Sequence, residues 1–389
     1  MKKICLLVNS LQSGGAEKIV ISIAVYYRSI GFDCVIVLLE NSLFYEIPEN
    51  IEVISLTKYK SDIYNSYKFF LLPFLAFSLK RILIKNNISY VQSHTYRANY
   101  VNILCKVFGS KHITHIVNHG IISLYESLGI LGAINLKLIR SLYPKSDKIV
   151  VLSKGMSLDL KKYVKVNDSK ISIINNPYDI NKIVELSLEG IEKNEFNINK
   201  NKKYITSVGS LIPLKRNSDL ILAFKDFQIN NPDFELLFIG DGSEKDNLID
   251  LAKELRLIDK IHFIGQVHNP YKYLSRSFAL VLNSLSEAFP NVIVEALACG
   301  CPVVSSDCYS GPREILTTSN ELNLTTDKIE LGEFGILYPT GNIRLLVESL
   351  GKLVNEEILY NYYKNNGINR SRQFDIELVM KKYLAIWYG

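Results

Sequence analysis

Short, unbroken apolar runs recur along the chain, separated by stretches in which apolar residues return with helical spacing. The first run, residues 2–9, is continuous rather than alternating, which is the pattern of a strand buried on both faces of a parallel sheet. Ser13-Gly14-Gly15-Ala16-Glu17-Lys18 breaks it, and Ile19, Ile21, Ile23, Ala24 and Tyr27 then carry a helix to Gly31. Further strands are expected at 33–39, 52–56, 90–92, 112–117 and 148–152, with helical segments between them. Such alternation indicates a doubly wound α/β domain.

The pattern then restarts. Asn175-Asn176-Pro177-Tyr178-Asp179 and a polar stretch at 192–203, rich in Asn and Lys, read as the close of one domain and a linker. A strand at 204–208 follows, then the loop Gly209-Ser210-Leu211-Ile212-Pro213-Leu214-Lys215-Arg216 and a helix to residue 229. Strands at 236–239 and 262–264 lead into Gly240-Asp241-Gly242 and Gly265-Gln266-Val267, and two more are expected at 302–305 and 335–338. At 389 residues the chain is too long for one ordinary domain and comfortable for two. We place them at 1–190 and 200–371, followed by a helix at 372–389 whose Leu378, Met380, Tyr383 and Ile386 are apolar.

Charge is unevenly spread: residues 1–190 carry 23 basic and 14 acidic side chains, residues 191–389 carry 22 and 25. No RNA- or DNA-binding motif accompanies the basic half, so nucleic acid is not an expected partner. Six scattered cysteines form no pair of C-x-x-C motifs, and Cys299, Cys301 and Cys308 lack a nearby fourth ligand. They read as buried thiols of a reducing compartment. Lys2 and Lys3 precede only Ile4 to Val8, too short a run for a signal peptide. The 11 uncharged residues at 69–79 fall short of the roughly 20 that span a bilayer. That stretch lies in a segment, 58–85, where Phe69, Phe70, Phe74 and Phe77 are followed by Lys80, Arg81 and Lys85. It reads either as a face for an anionic membrane or as a buried core helix.

The richest chemistry lies at 285–300, Leu-Ser-Glu-Ala-Phe-Pro-Asn-Val-Ile-Val-Glu-Ala-Leu-Ala-Cys-Gly. Pro290 suits the first position of a helix and Gly300 the residue past its end. The N–H groups of Asn291 and Val292 would then lie at the positive end of the helix dipole, a ready place for a phosphate. Glu295 falls about 6 Å further along the same face, one sugar away. There it would accept from ribose hydroxyls, with Glu287 doing so for a second sugar; the alternative is a solvated face. Gly14-Gly15, between a strand and a helix, is either a phosphate-approach loop or a tight turn, and without G-x-G-x-x-G it argues against a dinucleotide enzyme. His94 and His119 follow strands at their carboxyl ends, where open α/β sheets bind ligands.

The 285–300 segment resembles the signature of family 4 retaining glycosyltransferases, in which two glutamates with seven residues between them flank a Phe-Pro-Asn turn. The likeness continues through Ala296, Gly300, Pro302 and Gly311-Pro312-Arg313-Glu314-Ile315. It implies a GT-B fold: two doubly wound, Rossmann-like α/β domains facing across a cleft, with the last helix crossing back to the first domain. It also implies that His119 sits beside the transferred sugar, that Gly14 and Gly15 approach the donor diphosphate, and that the backbone at Val267 reads the base. Phe289, Pro290, Asn291 and Val292 form the turn at the donor. The family loop has arginine after its glycine and lysine five residues later. Here Lys215 matches, Ser210 stands in the arginine's place, and Arg216 is expected to supply the missing charge.

The resemblance therefore implies transfer of a hexosyl or N-acetylhexosaminyl unit from a nucleoside diphosphate sugar, UDP-sugar foremost, to a hydroxyl with retained anomeric configuration. His119, Glu287 and Lys215 are the expected catalytic residues. No Asp-x-Asp metal site is present, so neither metal nor other cofactor is expected. The basic half and the Phe69 segment suggest a polyprenyl-diphosphate-linked acceptor at the cytoplasmic face of the inner membrane, to which the enzyme would bind peripherally, as in bacterial surface polysaccharide assembly. Two rivals stay open: a sugar-nucleotide epimerase of the same fold, and a non-catalytic sugar-nucleotide-binding partner protein.

Overall fold

The computed structural model describes residues 3–12, 14–58, 67–192, 195–318 and 325–388. The chain divides into two compact units, Met1–Tyr178 with Ile376–Gly389, and Asp179–Asp375. Residues 179–190 thus go with the second unit rather than the first. In the expected linker, whose residues 193 and 194 lie outside the described residues, Phe196 and Ile198 pack against Tyr204, Leu237 and Ile239 of the second unit. Glu195 there accepts a 2.7 Å hydrogen bond from Lys272.

The first unit is built on strands β1 (Lys3–Val8), β2 (Asp33–Leu38), β3 (Glu52–Ser55), β4 (Tyr90–His94), β5 (Ile113–Asn118), β6 (Lys148–Val151) and β7 (Ile171–Ile173). They form one parallel sheet in the order β3-β2-β1-β4-β5-β6-β7. The inner strands are buried on both faces, β1 through its continuous apolar run and β4 and β5 with Gln92, Ser93, His94 and His115 buried among apolar residues. The helix Ile376–Tyr388 belongs to this unit: Trp387 packs on Tyr27, Tyr90 and His115. Of the 58–85 segment, residues 59–66 lie outside the described residues. The rest forms helices Tyr67–Phe70 and Leu72–Lys85, the second burying Leu72, Leu75, Ala76, Leu79 and Leu83 at helical spacing. Phe70, Phe74, Phe77 and Ile84 stay 82%, 59%, 50% and 70% exposed, so the segment has both a core face and an open apolar one.

The second unit repeats the plan with β8 (Lys203–Val208), β9 (Phe234–Ile239), β10 (Ile261–Phe263), β11 (Ala279–Leu282), β12 (Val303–Ser306), β13 (Glu330–Leu331) and β14 (Ile336–Tyr338). Their order is β10-β9-β8-β11-β12-β14-β13, parallel except for the β13 edge. In each sheet the strand order reverses between the first strand and the fourth, at β1/β4 and at β8/β11. Loops leaving the carboxyl ends of the strands on either side of such a reversal form a crevice where open α/β sheets take ligands. These two crevices receive most of the residues singled out in the sequence.

Candidate active site

In the second unit the loops after β8 and β11 meet. Lys215 Nζ lies 2.5 Å from Glu287 Oε1, and Ser284 Oγ donates to the same oxygen at 2.6 Å. Two further bonds tie the loops together: Leu285 N donates to Leu214 O at 2.9 Å and Asn283 Nδ2 to Arg216 O at 2.7 Å. Asn283 is itself held by the Tyr338 hydroxyl. A cation and a carboxylate thus stand together at the reversal, both partly sheltered. Burial first, then the nearby Glu287 carboxylate, pushes the Cys308 thiol up to about 12, so beside this pair it stays neutral.

The helix opening this loop runs Asn291–Ala298, with Pro290 as its cap rather than its first residue. Pro290 has extended torsions, φ −72° and ψ 101°, so it precedes the first helical turn. At the other end Gly300, with φ +65°, adopts the left-handed conformation expected of it; Gly300 N donates to Leu297 O and Cys301 N to Ala296 O, closing two carbonyls. Gly311 fits the resemblance for a steric reason. A Cβ there would lie 2.4 Å from Pro290 Cδ and 2.9 Å from Phe289 Cα, so the Phe289-Pro290 turn needs a glycine against it. Phe289 is buried, edge-on to Phe374. One turn along the helix Glu295 is buried, and it accepts a 3.0 Å hydrogen bond from the buried Tyr271 hydroxyl. Asn291 and Val292 are half-buried in the first turn.

The neighbouring predicted residues divide. Ser210 is exposed in the loop after Gly209. Arg216 has left-handed torsions, φ +48°, and its Nε donates to Asp219 Oδ2 at 2.5 Å while the guanidinium covers Gly341. Arg216 thus pairs with Asp219, as Lys215 does with Glu287. Val267 is packed against the Tyr204, Leu237, Ile239 and Tyr273 cluster.

In the first unit, Gly14 caps the helix Gly15–Ser29 and accepts from the Tyr45 hydroxyl at 3.2 Å; Ser13 lies outside the described residues. The Glu17 carboxylate folds back over Gly14, where burial raises its pKa above the usual range. Across the β1/β4 reversal, His94 is the last residue of β4 and is fully buried, and His119 follows β5, half-buried. Their rings meet, His94 Nδ1 2.9 Å from His119 Nε2, and Gln92 Nε2 lies 2.9 Å from His94 Nε2. Burial, then the neighbouring ring, holds His94 well below the ordinary imidazole value, and burial lowers His119 to about 4. Both rings are neutral near pH 7.

Sequence reasoning singled out Glu287, Lys215, Glu295, His94 and His119 but not Ser284, Tyr271 or Gln92, the hydrogen-bond partners of Glu287, Glu295 and His94. Of these only Ser284, three residues before Glu287, carries a local signal. Among the described residues no group of three or more His, Cys, Asp or Glu stands together as a metal site, and no helix is long and apolar enough to cross a membrane. Among the described residues no disulfide forms, and five of the six cysteines are buried.

Comparison with known proteins bears on this arrangement. Residues 13–182 match Glycosyltransferase Family 4, and residues 189–370 match glycosyl transferases group 1. The chain is 32% identical, over the whole of both proteins, to the N-acetylgalactosamine-N,N'-diacetylbacillosaminyl-diphospho-undecaprenol 4-alpha-N-acetylgalactosaminyltransferase of Campylobacter jejuni. It is 25% identical to an uncharacterized glycosyltransferase of Haemophilus influenzae, over 99% of this chain and 100% of that one. Two solved structures share its fold at low identity. Sucrose-phosphate synthase of Thermosynechococcus elongatus has a TM-score of 0.81 and 16% identity, over 100% of this chain and 98% of its own. Anabaena HepE, in complex with UDP and glucose, has a TM-score of 0.75 and 18% identity over the whole of both chains. With two parallel-sheet units, both family matches and a full-length relative in agreement, the chain belongs to the group 1, family 4 glycosyltransferases and has their GT-B fold.

Proposed function

We propose that the protein is a retaining glycosyltransferase that moves a hexosyl or N-acetylhexosaminyl unit from a UDP-sugar to a hydroxyl of a saccharide carried on a polyprenyl diphosphate. The observation that carries the reading is the Lys215–Glu287 pair at the β8/β11 reversal, inside the segment that resembles the family signature. The acceptor class is supported by the Campylobacter relative, named for a diphospho-undecaprenol substrate. In this reading Lys215 and the first-turn N–H groups of Asn291 and Val292 take the leaving diphosphate, Glu295 the ribose, Glu287 the donor-sugar hydroxyls and His119 the sugar itself. The bond from the anomeric carbon to the diphosphate breaks, the acceptor oxygen bonds to that carbon on the same face, and the acceptor's proton leaves with the diphosphate. Lys215 meets the developing charge, so turnover is proposed to need no divalent metal; loss of activity with chelator and recovery with Mg²⁺ or Mn²⁺ would contradict this.

Peripheral binding to an anionic membrane is part of the same reading. It is supported by Phe70, Phe74 and Phe77, exposed beside the exposed Arg81 and Lys85. The experiment is a screen of UDP-, GDP- and ADP-sugars with and without a lipid-linked saccharide, following nucleotide release and product anomer by NMR. Acceptor-dependent release from a UDP-sugar with an α-linked product from an α-linked donor is expected. Inversion, or conversion of the donor without acceptor, would overturn the reading.

A further inference from the structure

The polar atoms behind His119 form a line with a direction. Gln92 and His94 are two residues apart on β4, so their side chains leave the same face of the sheet, and His119 follows the adjacent β5. The Tyr27 hydroxyl donates to Gln92 Oε1 at 3.4 Å, which turns the amide nitrogen toward His94. An amide nitrogen only donates, so His94 Nε2 accepts. A neutral ring that accepts at Nε2 carries its single proton on Nδ1, and that proton is donated to His119 Nε2, 2.9 Å away. By the same rule His119 holds its own proton on Nδ1. Among the described residues no hydrogen bond takes that Nδ1, and the ring is half-buried rather than enclosed.

We infer that Gln92 and His94 are positioning residues that fix the proton of His119 on Nδ1, so that His119 meets its ligand as a hydrogen-bond donor to a sugar oxygen. The ligand's identity rests on the proposed function; the place of the proton does not. A polar cluster that served only the core would satisfy its own atoms and have no reason to end in an open donor. This one begins at a buried tyrosine and ends at the only one of its members whose outer nitrogen is unclaimed among the described residues.

The direction reverses if the amide is turned the other way, which makes the inference testable. Ring-nitrogen NMR on the ligand-free full chain, labelled at its six histidines and assigned with His94→Asn and His119→Asn, reads the tautomers directly. Both His94 and His119 are expected as Nδ1–H forms; His119 as Nε2–H, or as a mixture, overturns the inference. Gln92→Leu, with His94→Phe as the second variant should the first fail to fold, is expected to release His119 into both tautomers and to lower kcat/KM about tenfold. His119 remaining wholly Nδ1–H in these variants removes their positioning role. If the tautomer is as inferred but the variants turn over at the wild-type rate, the positioning role falls and the transferase reading stands. If the wild type turns over no donor, the proposed function fails while the NMR result still decides the proton's place.

Discussion

From one edge through β5 and β12 the two sheets share one strand order, yet the residues singled out at their reversals differ in chemistry. At β1/β4 the first unit gathers the neutral Gln92 and His94, buried on β4, and His119, half-buried just past β5, while Arg97, three residues beyond His94, pairs with the buried Glu40. At β8/β11 the second unit gathers a cation and a carboxylate, Lys215 and Glu287, supplied by loops that keep some water. Where the side chains start accounts for part of the difference: Gln92 and His94 start inside a strand, whereas His119, Lys215 and Glu287 all lie past a strand end. A strand interior strips solvation and favours neutral forms, while a loop past the strand end leaves charge affordable. It also separates two recognition tasks: directed neutral donors suit hydroxyls, and a sheltered cation suits a diphosphate.

That contrast can be broken most sharply at Lys215. Lys215→Ala removes the cation and leaves Glu287 with Ser284 alone among the described residues, and by analogy with loss of one charge-stabilising donor, turnover should fall about 10²–10³-fold in steady-state kinetics. A loss below tenfold would mean that the diphosphate is held elsewhere. Glu295→Gln should act more mildly, raising the donor KM about tenfold with kcat little changed, because it weakens charge-assisted bonds made equally to ground and transition states. A fall in kcat instead would place Glu295 in the chemistry.

The contrast predicts pH behaviour as well. His94, His112, His115 and His119, all in the first unit, have pKa values held below the ordinary imidazole value, the last three to about 4. Unfolded, each binds a proton near pH 6.5, so between pH 6.5 and 4 the unfolded chain holds more protons and folding stability falls as pH falls. Denaturant unfolding at pH 7 and pH 5 should show this, and His119→Asn should flatten the slope; an unchanged slope would mean the ring is not desolvated. The smallest effect is expected from Arg216→Ala. With its guanidinium committed to Asp219, the variant should change donor KM and kcat less than threefold, whereas a tenfold loss would restore Arg216 as the substitute for the arginine missing at Ser210.

The repeated α/β plan was legible because buried parallel strands need continuous apolar runs, and nearly every such run found its strand. Three strands escaped. Ile171–Ile173 and Glu330–Leu331 are too short to carry a period, and Ala279–Leu282, though plainly apolar, was passed over beside the more distinctive loop that follows it. The Pro290 helix was displaced by one residue because proline suits both the cap and the first turn. Candidate site residues could be picked out one by one, but their partnerships could not. Lys215 and Glu287 are 72 residues apart, His94 and His119 are 25 apart, and Tyr271 and Glu295 are 24 apart. Only the order of strands in the sheet brings such pairs together, and no local pattern encodes it. Arg216 is a further case: adjacency to Lys215 suggested a shared task, and the pairing of its side chain with Asp219 is not readable from that adjacency.

The second unit is continuous in sequence and the first is not. Ile376 N donates to Tyr178 O at 2.8 Å, so the chain re-enters the first unit beside the place where it left. During synthesis the ribosome must make about 200 intervening residues, which takes roughly 10–40 s at typical elongation rates. Throughout that interval Tyr27, Tyr90 and His115 wait without the indole of Trp387 that covers them. The nascent first unit is therefore the more exposed to misfolding and to chaperones, although its other residues emerge first.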